Sequence, residues 1–133
     1  MAEPMQVEVV SADRVVWSGQ ATNIIAKTVN GEIGILAGHA PVLGVLQPSA
    51  VVIFGTDGNR EVVAVDGGFI SVAQGRVSIL SEYASLASEI TVRDAEQQLA
   101  EAQRTLDSGD FSDAEKQQFD RATAQLRAAE KAQ

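Results

Sequence analysis

The sequence contains no cysteine and only one histidine in its 133 residues. Disulfides and thiolate metal sites are therefore excluded, and few combinations remain for a nucleophile paired with a base. The phosphate motif Gly-x-x-x-x-Gly-Lys-Ser/Thr, the dinucleotide motif Gly-x-Gly-x-x-Gly and the hydrolase motif Gly-x-Ser-x-Gly are also missing. A carboxylate pair on a β-sandwich could still cleave glycosides, but the spacing of the acidic residues does not favour one. We predict a chain that is not an enzyme and needs no cofactor or metal.

Long apolar runs and an excess of positive charge are absent as well. The longest apolar runs are about five residues, whereas a transmembrane helix needs roughly 20. Ten basic residues stand against 18 acidic ones, a net charge of −8. Nucleic acids and anionic membranes are bound through clustered Lys and Arg, so neither is an expected direct partner. No secretory signal is recognisable. We expect a cytosolic location, with any membrane association passing through a protein partner.

The composition changes near residue 90. Ten of the eleven glycines and all three prolines precede residue 76, and the last valine is Val92. The remaining chain is rich in Ala, Gln, Glu, Asp and Arg. Valine with frequent glycine favours sheet, whereas Ala, Gln and Glu favour helix. We predict a boundary within residues 85–90, with one domain over residues 1–86 and another over 87–133.

Short apolar segments separated by turn residues fill the first region. Seven or more strands at this spacing are typical of a β-sandwich or barrel. Asn30-Gly31 is a strong signal for a two-residue hairpin turn. The continuous apolar run at residues 51–54 indicates a strand covered on both faces, or on one face by a partner. The predicted strands are residues 5–10, 15–17, 23–29, 33–36, 42–46, 50–54, 61–65, 69–72 and 77–80.

Helical periodicity marks the second region. Thr91 with Asp94, and Ser112 with Glu115, have the spacing of helix N-terminal caps. Two helices joined by the short link at residues 107–110 should pack as an antiparallel hairpin. Few large side chains lie on the apolar stripes, so both a movable arm and a fixed lid remain open. The stripes are Ala95, Leu99, Ala102 and Leu106 in the first helix and Phe119, Ala122, Leu126 and Ala129 in the second.

Two longer segments carry a family resemblance. Residues 31–48 read GEIGILAGHAPVLGVLQP, and residues 65–84 read VDGGFISVAQGRVSILSEYA. Both resemble signature segments of the epsilon subunits of F-type ATP synthases, called delta in mitochondria. Their order, their spacing and the chain length fit this family, and the C-terminal third matches it as a helical hairpin. The resemblance implies a β-sandwich of about ten short strands followed by an antiparallel two-helix hairpin.

The resemblance also implies a function and partners. It implies a non-catalytic rotor subunit of the central stalk that couples proton flow through the proteolipid ring to ATP synthesis. The partners would be the gamma subunit, that ring and, when the hairpin extends, the catalytic alpha and beta subunits. The location would be peripheral, on the cytoplasmic face of the energy-transducing cell membrane. The alternative is a free-standing β-sandwich that binds a small ligand under a helical lid.

Four residues are candidate partner contacts by this resemblance. Gly31, Glu32 and Ile33 would face the polar loops of the proteolipid ring, where a carboxylate could meet basic residues. His39 would contact gamma. Glu32 could instead be a solvated turn carboxylate, and the ring of His39 could simply shape its own loop.

Some bacterial relatives bind ATP through a motif Ile/Leu-Asp-x-x-Arg-Ala at the start of the first helix. Here Ile90 and Ala95 match, but Thr91 replaces the aspartate and Asp94 replaces the arginine. A carboxylate in place of a cation repels phosphate. Arg121 could face a phosphate or be a solvated charge. We predict weak or absent ATP binding, which isothermal titration would test.

The family further uses the hairpin as a brake on ATP hydrolysis, in which basic residues of the last helix meet acidic loops of the catalytic subunits. The candidates here are Arg121, Arg127 and Lys131. Residues 91–133 hold nine acidic and six basic residues, a net charge of −3. That charge disfavours binding to an acidic target. Inhibition of hydrolysis is therefore a hypothesis that the resemblance suggests and the charge opposes.

Overall fold

The computed structural model describes residues 3–132. Nine strands come first in this part of the chain, followed by a single 3₁₀ turn at Ala87–Glu89 and two helices, α1 (Val92–Asp107) and α2 (Asp113–Lys131). None of the helices in residues 3–132 is long and apolar enough to cross a membrane. The strands are β1 (Met5–Val10), β2 (Val15–Thr28), β3 (Gly31–Leu36), β4 (Val42–Leu46), β5 (Ser49–Gly55), β6 (Arg60–Val65), β7 (Gly68–Ala73), β8 (Arg76–Leu80) and β9 (Ala84–Leu86).

Strand pairing joins these strands into one sheet that folds into two layers. The first layer runs β1, β8, β7, β4, and the second runs β2, β5, β6, β9, with β3 on the other side of β2. The start of β2 also pairs with β1, so this strand passes from the first layer into the second. The pair β1–β8 is parallel, whereas the other pairs are antiparallel. The predicted β-sandwich followed by a two-helix hairpin is confirmed.

The core lies between the layers. Alternate residues of each strand point inward, and the Ile and Val side chains among them are almost fully buried. Burying one such side chain stabilises the fold by about 1.5–3 kcal/mol. The largest fully buried side chains are Val7, Val9, Ile70, Val77 and Ile79 in the first layer and Ile24, Ile35, Val51, Ile53, Val63 and Val65 in the second.

Two details of the strands differ from the sequence prediction. Residues 15–17 and 23–29, predicted as separate strands, form most of the 14-residue strand β2. The polar segment Ser18-Gly19-Gln20 looked like a break but pairs with β1. The short strand β9, paired with β6, was not predicted. Nine strands therefore stand in the described residues where about ten were expected.

The hairpin turn between β2 and β3 lies one residue earlier than predicted. Thr28 pairs with Gly31, so the turn residues are Val29 and Asn30. The hydroxyl of Thr28 accepts from the Asn30 amide at 3.2 Å and donates to the Gly31 carbonyl at 2.8 Å. Gly31 has φ +118°, whereas Asn30 does not have a positive φ. The Thr28 hydroxyl thus fixes a turn in which glycine follows the two central residues instead of being one of them.

Both helices begin at the predicted caps. The hydroxyl of Thr91 accepts from the Asp94 amide, and Ser112 with Glu115 makes both bonds of a capping box. Helix α1 packs on α2, and α2 packs on β5 and β6. The predicted stripes are buried or half-buried. A second buried face of α2, which the sequence prediction missed, carries Ala124 and Ala128.

Candidate functional site

The outer face of the first layer carries an exposed apolar row. Strand register places Leu80 beside Val10 and Phe69, and Phe69 beside Val45. Phe69 is 51% exposed, Leu80 50% and Val45 45%. The neighbouring Leu43, on the same face of β4, is 73% exposed. We call Leu43, Val45, Phe69 and Leu80 the apolar row.

Polar side chains replace the apolar ones further along the same strands. Register continues from Leu43 through Ser71 and Ser78 to Glu8. The apolar row therefore occupies one end of the first layer and is not a general property of its outer face. Clustered exposed apolar side chains of this kind mark sites of protein–protein interaction.

The apolar row borders a cavity of about 340 Å³. Phe69 and Leu80 line it together with Gly68 and Ser81. Gly68 has φ +104°, and a Cβ atom there would lie 2.0 Å from the Leu80 carbonyl oxygen. Only glycine fits this close approach of β7 to β8, which holds Phe69 and Leu80 side by side.

His39 lies in the loop that leads into β4. Its backbone amide donates to the Leu36 carbonyl at 3.0 Å. Its ring Nδ1 lies 2.6 Å from the Ala40 carbonyl oxygen, so a protonated Nδ1 donates to it. The ring therefore shapes the loop that precedes Leu43, and its contact with a partner stays a prediction.

The hairpin residues predicted to face a partner do not share one environment. Gly31 is half-buried at the start of β3, and Glu32 is exposed beside Lys27 of β2. Ile33 packs on the core. A cavity of about 140 Å³ joins Glu32 and Lys27 to Arg127 and Lys131 of α2. The structure thus brings Glu32 near two of the basic residues predicted for the arm.

The outer face of the second layer is covered by α2. Ala124 and Ala128 of the helix are fully buried in one cluster with Val52, Val62 and Ala64 of the sheet. Ile25, Phe54 and Ile90 pack at the edge of this cluster. We call α1 and α2 together the helical arm. The arm contacts the sandwich through small side chains, and these let the helix lie close to the sheet.

Asp66, directly after β6, makes the one ion pair between the arm and the sandwich among the described residues. Its side chain is 2% exposed and lies 2.9 Å from Nε of Arg121, which is 39% exposed. The Arg121 guanidinium also lies 5.3 Å from the centre of the Tyr83 ring. The Gln125 amide donates to the Tyr83 hydroxyl at 2.6 Å. At the other end of α2, Arg60 donates to the Lys131 carbonyl.

The remaining site predictions can now be placed. Ile90 packs on the cluster beneath α2, Ala95 is buried in α1, and Arg121 is held by Asp66. Arg127 and Lys131 are exposed. Of the three basic candidates on the last helix, Arg121 is therefore already paired, whereas the other two line the cavity with Glu32. The roles of all these residues stay predictions.

Sequence reasoning missed Asp66 as the partner of Arg121. The two residues are 55 positions apart, so no local spacing could pair them. The sequence offered only a weak signal that Asp66 has a structural role, namely its position between an apolar strand and Gly67-Gly68. The apolar row was missed for a similar reason, because it requires the register of β4, β7 and β8.

Comparison with known proteins gives the family. The family model "ATP synthase, Delta/Epsilon chain, beta-sandwich domain" matches residues 4–87, which is the sandwich described above. The chain therefore belongs to the ATP synthase delta/epsilon chain family. Within it, the chain falls with bacterial epsilon chains of the F-type enzyme.

The relatives support this placement. The ATP synthase epsilon chain of Streptomyces avermitilis is 50% identical over 102 residues, covering 77% of this chain and 82% of the relative. That of Rhodococcus jostii is 52% identical over 103 residues, covering 77% and 84%. A chain in the cryo-EM structure of the Euglena gracilis mitochondrial ATP synthase, OSCP/F1/c-ring, has a TM-score of 0.75 at 24% identity, covering 97% of this chain and 81% of that one. At that identity the likeness concerns the fold.

Proposed function

We propose that this chain is a non-catalytic central-stalk subunit of an F-type ATP synthase, attached to its neighbours through the apolar row. Membership of the delta/epsilon family supports the complex. The observation that carries the attachment is the row itself, because four large apolar side chains stay 45–73% exposed at one end of a layer. Leaving such a cluster in water forfeits free energy that a partner recovers.

The gamma subunit is the proposed occupant of the apolar row. The His39 loop leads directly into β4, which carries Leu43 and Val45 of the row, so one partner can contact both. The start of β3 at Gly31, Glu32 and Ile33 lies next to the β2–β3 turn, away from the apolar row, and is proposed to meet the polar loops of the proteolipid ring. The chain would thereby join gamma to the ring at the membrane surface and carry torque between them during proton-driven ATP synthesis.

The helical arm is proposed to regulate ATP hydrolysis. When extended it would reach the alpha and beta subunits and present Arg121, Arg127 and Lys131 to acidic loops. Its contact with the sandwich is suited to release, because much of it is made by alanine side chains. The alternative of a free-standing ligand-binding sandwich has no observation in its favour, since the chain belongs to a family of ATP synthase chains.

Assembly of the intact synthase tests the proposal. The double variant Leu43→Ser/Phe69→Ser should lower recovery of the chain with the membrane complex at least tenfold, because losing central apolar contacts typically costs about 2 kcal/mol or more. Phe111→Ser is the matched control, since Phe111 is 45% exposed but lies at the turn of the helical arm. It should leave recovery unchanged.

Two outcomes would contradict the proposal. Undiminished recovery of a folded Leu43→Ser/Phe69→Ser chain would remove the attachment through the row. A wild-type chain that never purifies with a proton-translocating complex would remove the stalk role altogether. For the arm, deletion of residues 91–133 should raise hydrolysis by the complex, and unchanged hydrolysis would remove the regulatory part.

A further inference from the structure

The two oxygens of the Asp66 carboxylate serve two different parts of the molecule. Oδ1 accepts from the Ser81 hydroxyl at 2.9 Å and from the Tyr83 amide at 3.1 Å, both within the sandwich. Oδ2 accepts from Arg121 Nε at 2.9 Å and, weakly, from the Gln117 amide at 3.5 Å, both on α2. One oxygen therefore ties the end of β6 to the segment after β8, and the other ties the sandwich to the arm.

Burial makes the arm-side contact strong. The carboxylate is 2% exposed while α2 is docked, so losing Arg121 in the docked arm would leave a buried charge with half its partners gone. A hydrogen bond between two ionised groups is about twice as strong as a neutral one. The contacts of Ala124 and Ala128 with the sheet are non-directional, and each methyl group buries little area. The ion pair is thus the charged directional part of the docking contact, beside the Gln125–Tyr83 and Arg60–Lys131 hydrogen bonds.

We propose that the Asp66–Arg121 pair is a latch that holds the helical arm on the sandwich. The proposal rests on the proposed function in one respect, namely that the arm moves in the synthase. In the docked arm Nε of Arg121 is bonded to Asp66, so an acidic partner that takes this N–H must displace Asp66. The arm extends when carboxylates of a protein partner replace Asp66 as the acceptor for Arg121.

Because the two carboxylate oxygens have different partners, Asp66→Asn is a variant that should affect only one set of contacts. The asparagine carbonyl can keep both Oδ1 bonds to Ser81 and Tyr83. Its amide group then faces Arg121 and Gln117 as a donor facing donors, so the arm contact is lost while the sandwich contacts remain. Arg121→Met breaks the pair from the other side and keeps the length of the side chain.

Amide hydrogen exchange on the full isolated chain measures docking and requires no synthase. In both variants we expect amides of α2 to exchange at least tenfold faster than in the wild type, while core amides of β5 and β7 change less than twofold. The double variant should exchange no faster than the faster single variant, because both changes remove one interaction. Arg14→Gln is the control, since it breaks the exposed Arg14–Glu89 pair at 3.2 Å and should leave exchange in α2 unchanged.

Two results would overturn the latch. Wild-type exchange in α2 of both single variants would show that the alanine contacts hold the arm without the ion pair. Faster exchange in β5 and β7 to the same extent as in α2 would show that Asp66 supports the sandwich and not the arm. Neither result bears on the apolar row, which is tested by assembly of the complex, so the two proposals can fail separately.

Discussion

The outer faces of the two layers of the sandwich differ, because one is covered by the arm and the other is exposed. The second layer is covered by the chain's own arm, which contributes Ala124 and Ala128 against Val52, Val62 and Ala64 of the sheet. The first layer is bare and carries larger side chains, among them Phe69 and Leu80. Large apolar side chains are therefore left uncovered on the first layer, whereas the chain's own contact on the second layer is made by alanines of the arm.

The difference in side-chain size matches two kinds of contact, a lasting one on the first layer and a reversible one on the second. A Phe or Leu side chain gains about 1.5–3 kcal/mol on full burial, whereas an alanine methyl gains about 0.8 kcal/mol. A row of large side chains suits a lasting attachment, and a face of alanines suits an arm that docks and leaves. The Asp66–Arg121 pair then adds an interaction with a specific geometry, which the apolar contacts of the alanines do not have.

The largest predicted effect comes from disturbing the close approach of β7 to β8 on the uncovered first layer. Gly68→Ala places a Cβ 2.0 Å from the Leu80 carbonyl oxygen at φ +104°. Because backbone cannot yield as a flexible side chain does, the free energy of unfolding should fall by about 3 kcal/mol or more. Urea unfolding measures this. Gly75→Ala, at φ +75° with open space around it, should lose only about 1–2 kcal/mol. Equal losses in the two variants would contradict the close-approach argument.

A smaller effect is expected from enlarging a side chain on the covered face. Ala124 is fully buried, and leucine there would overpack the contact by about 1–3 kcal/mol. Because Ala124 lies in the contact between the arm and the sandwich and outside the core between the layers, Ala124→Leu should undock the arm instead of unfolding the sandwich. Limited trypsin digestion should then cleave α2 several-fold faster, while the sandwich fragment persists. Ala100→Leu, at an exposed position of α1, is the control. Digestion of Ala124→Leu at the wild-type rate would show that the face tolerates a large side chain.

The smallest effect concerns the junction between the two parts. The Leu86 amide, and then Arg14, lower the pKa of Glu89 below its ordinary value of 4.5. A lowered folded-state pKa means that Glu89 stabilises the fold above its unfolded pKa and loses this contribution as the pH falls through the folded value. For an exposed pair the contribution at pH 7 is about 0.2–1 kcal/mol. The unfolding free energies of wild type and Glu89→Gln should therefore differ at pH 7 and converge as the pH falls below the folded-state pKa of Glu89. A difference that grows on acidification would have the wrong sign.

Local signals in the sequence predicted much of the fold. Alternation of apolar and polar residues located most strands, and Thr91 and Ser112 located the starts of both helices. The continuity of β2 escaped prediction because Ser18-Gly19-Gln20 is stabilised by pairing with β1 and not by its own preferences. The two segments that resemble the family, residues 31–48 and 65–84, indicated an F-type ATP synthase.

The site was less predictable because it depends on residues far apart in the chain. The apolar row requires Val45, Phe69 and Leu80 to come into register. Arg121 was identified from the sequence as a solvated charge or a ligand contact, yet a carboxylate 55 residues away binds it. The helical periodicity predicted one buried face of α2. Its alanine face contacts β5 and β6, and the sequence of a helix alone does not show which strands it covers.

One strand links the two layers of the molecule. β2 is 14 residues long, which is about 45 Å of extended backbone. It pairs with β1 near its start and with β3, β4 and β5 further along. A single run of covalent bonds therefore crosses from one layer to the other and ends at the Thr28–Gly31 turn. The Thr28–Gly31 turn therefore stands at the end of a strand that is hydrogen-bonded to neighbouring strands along its length.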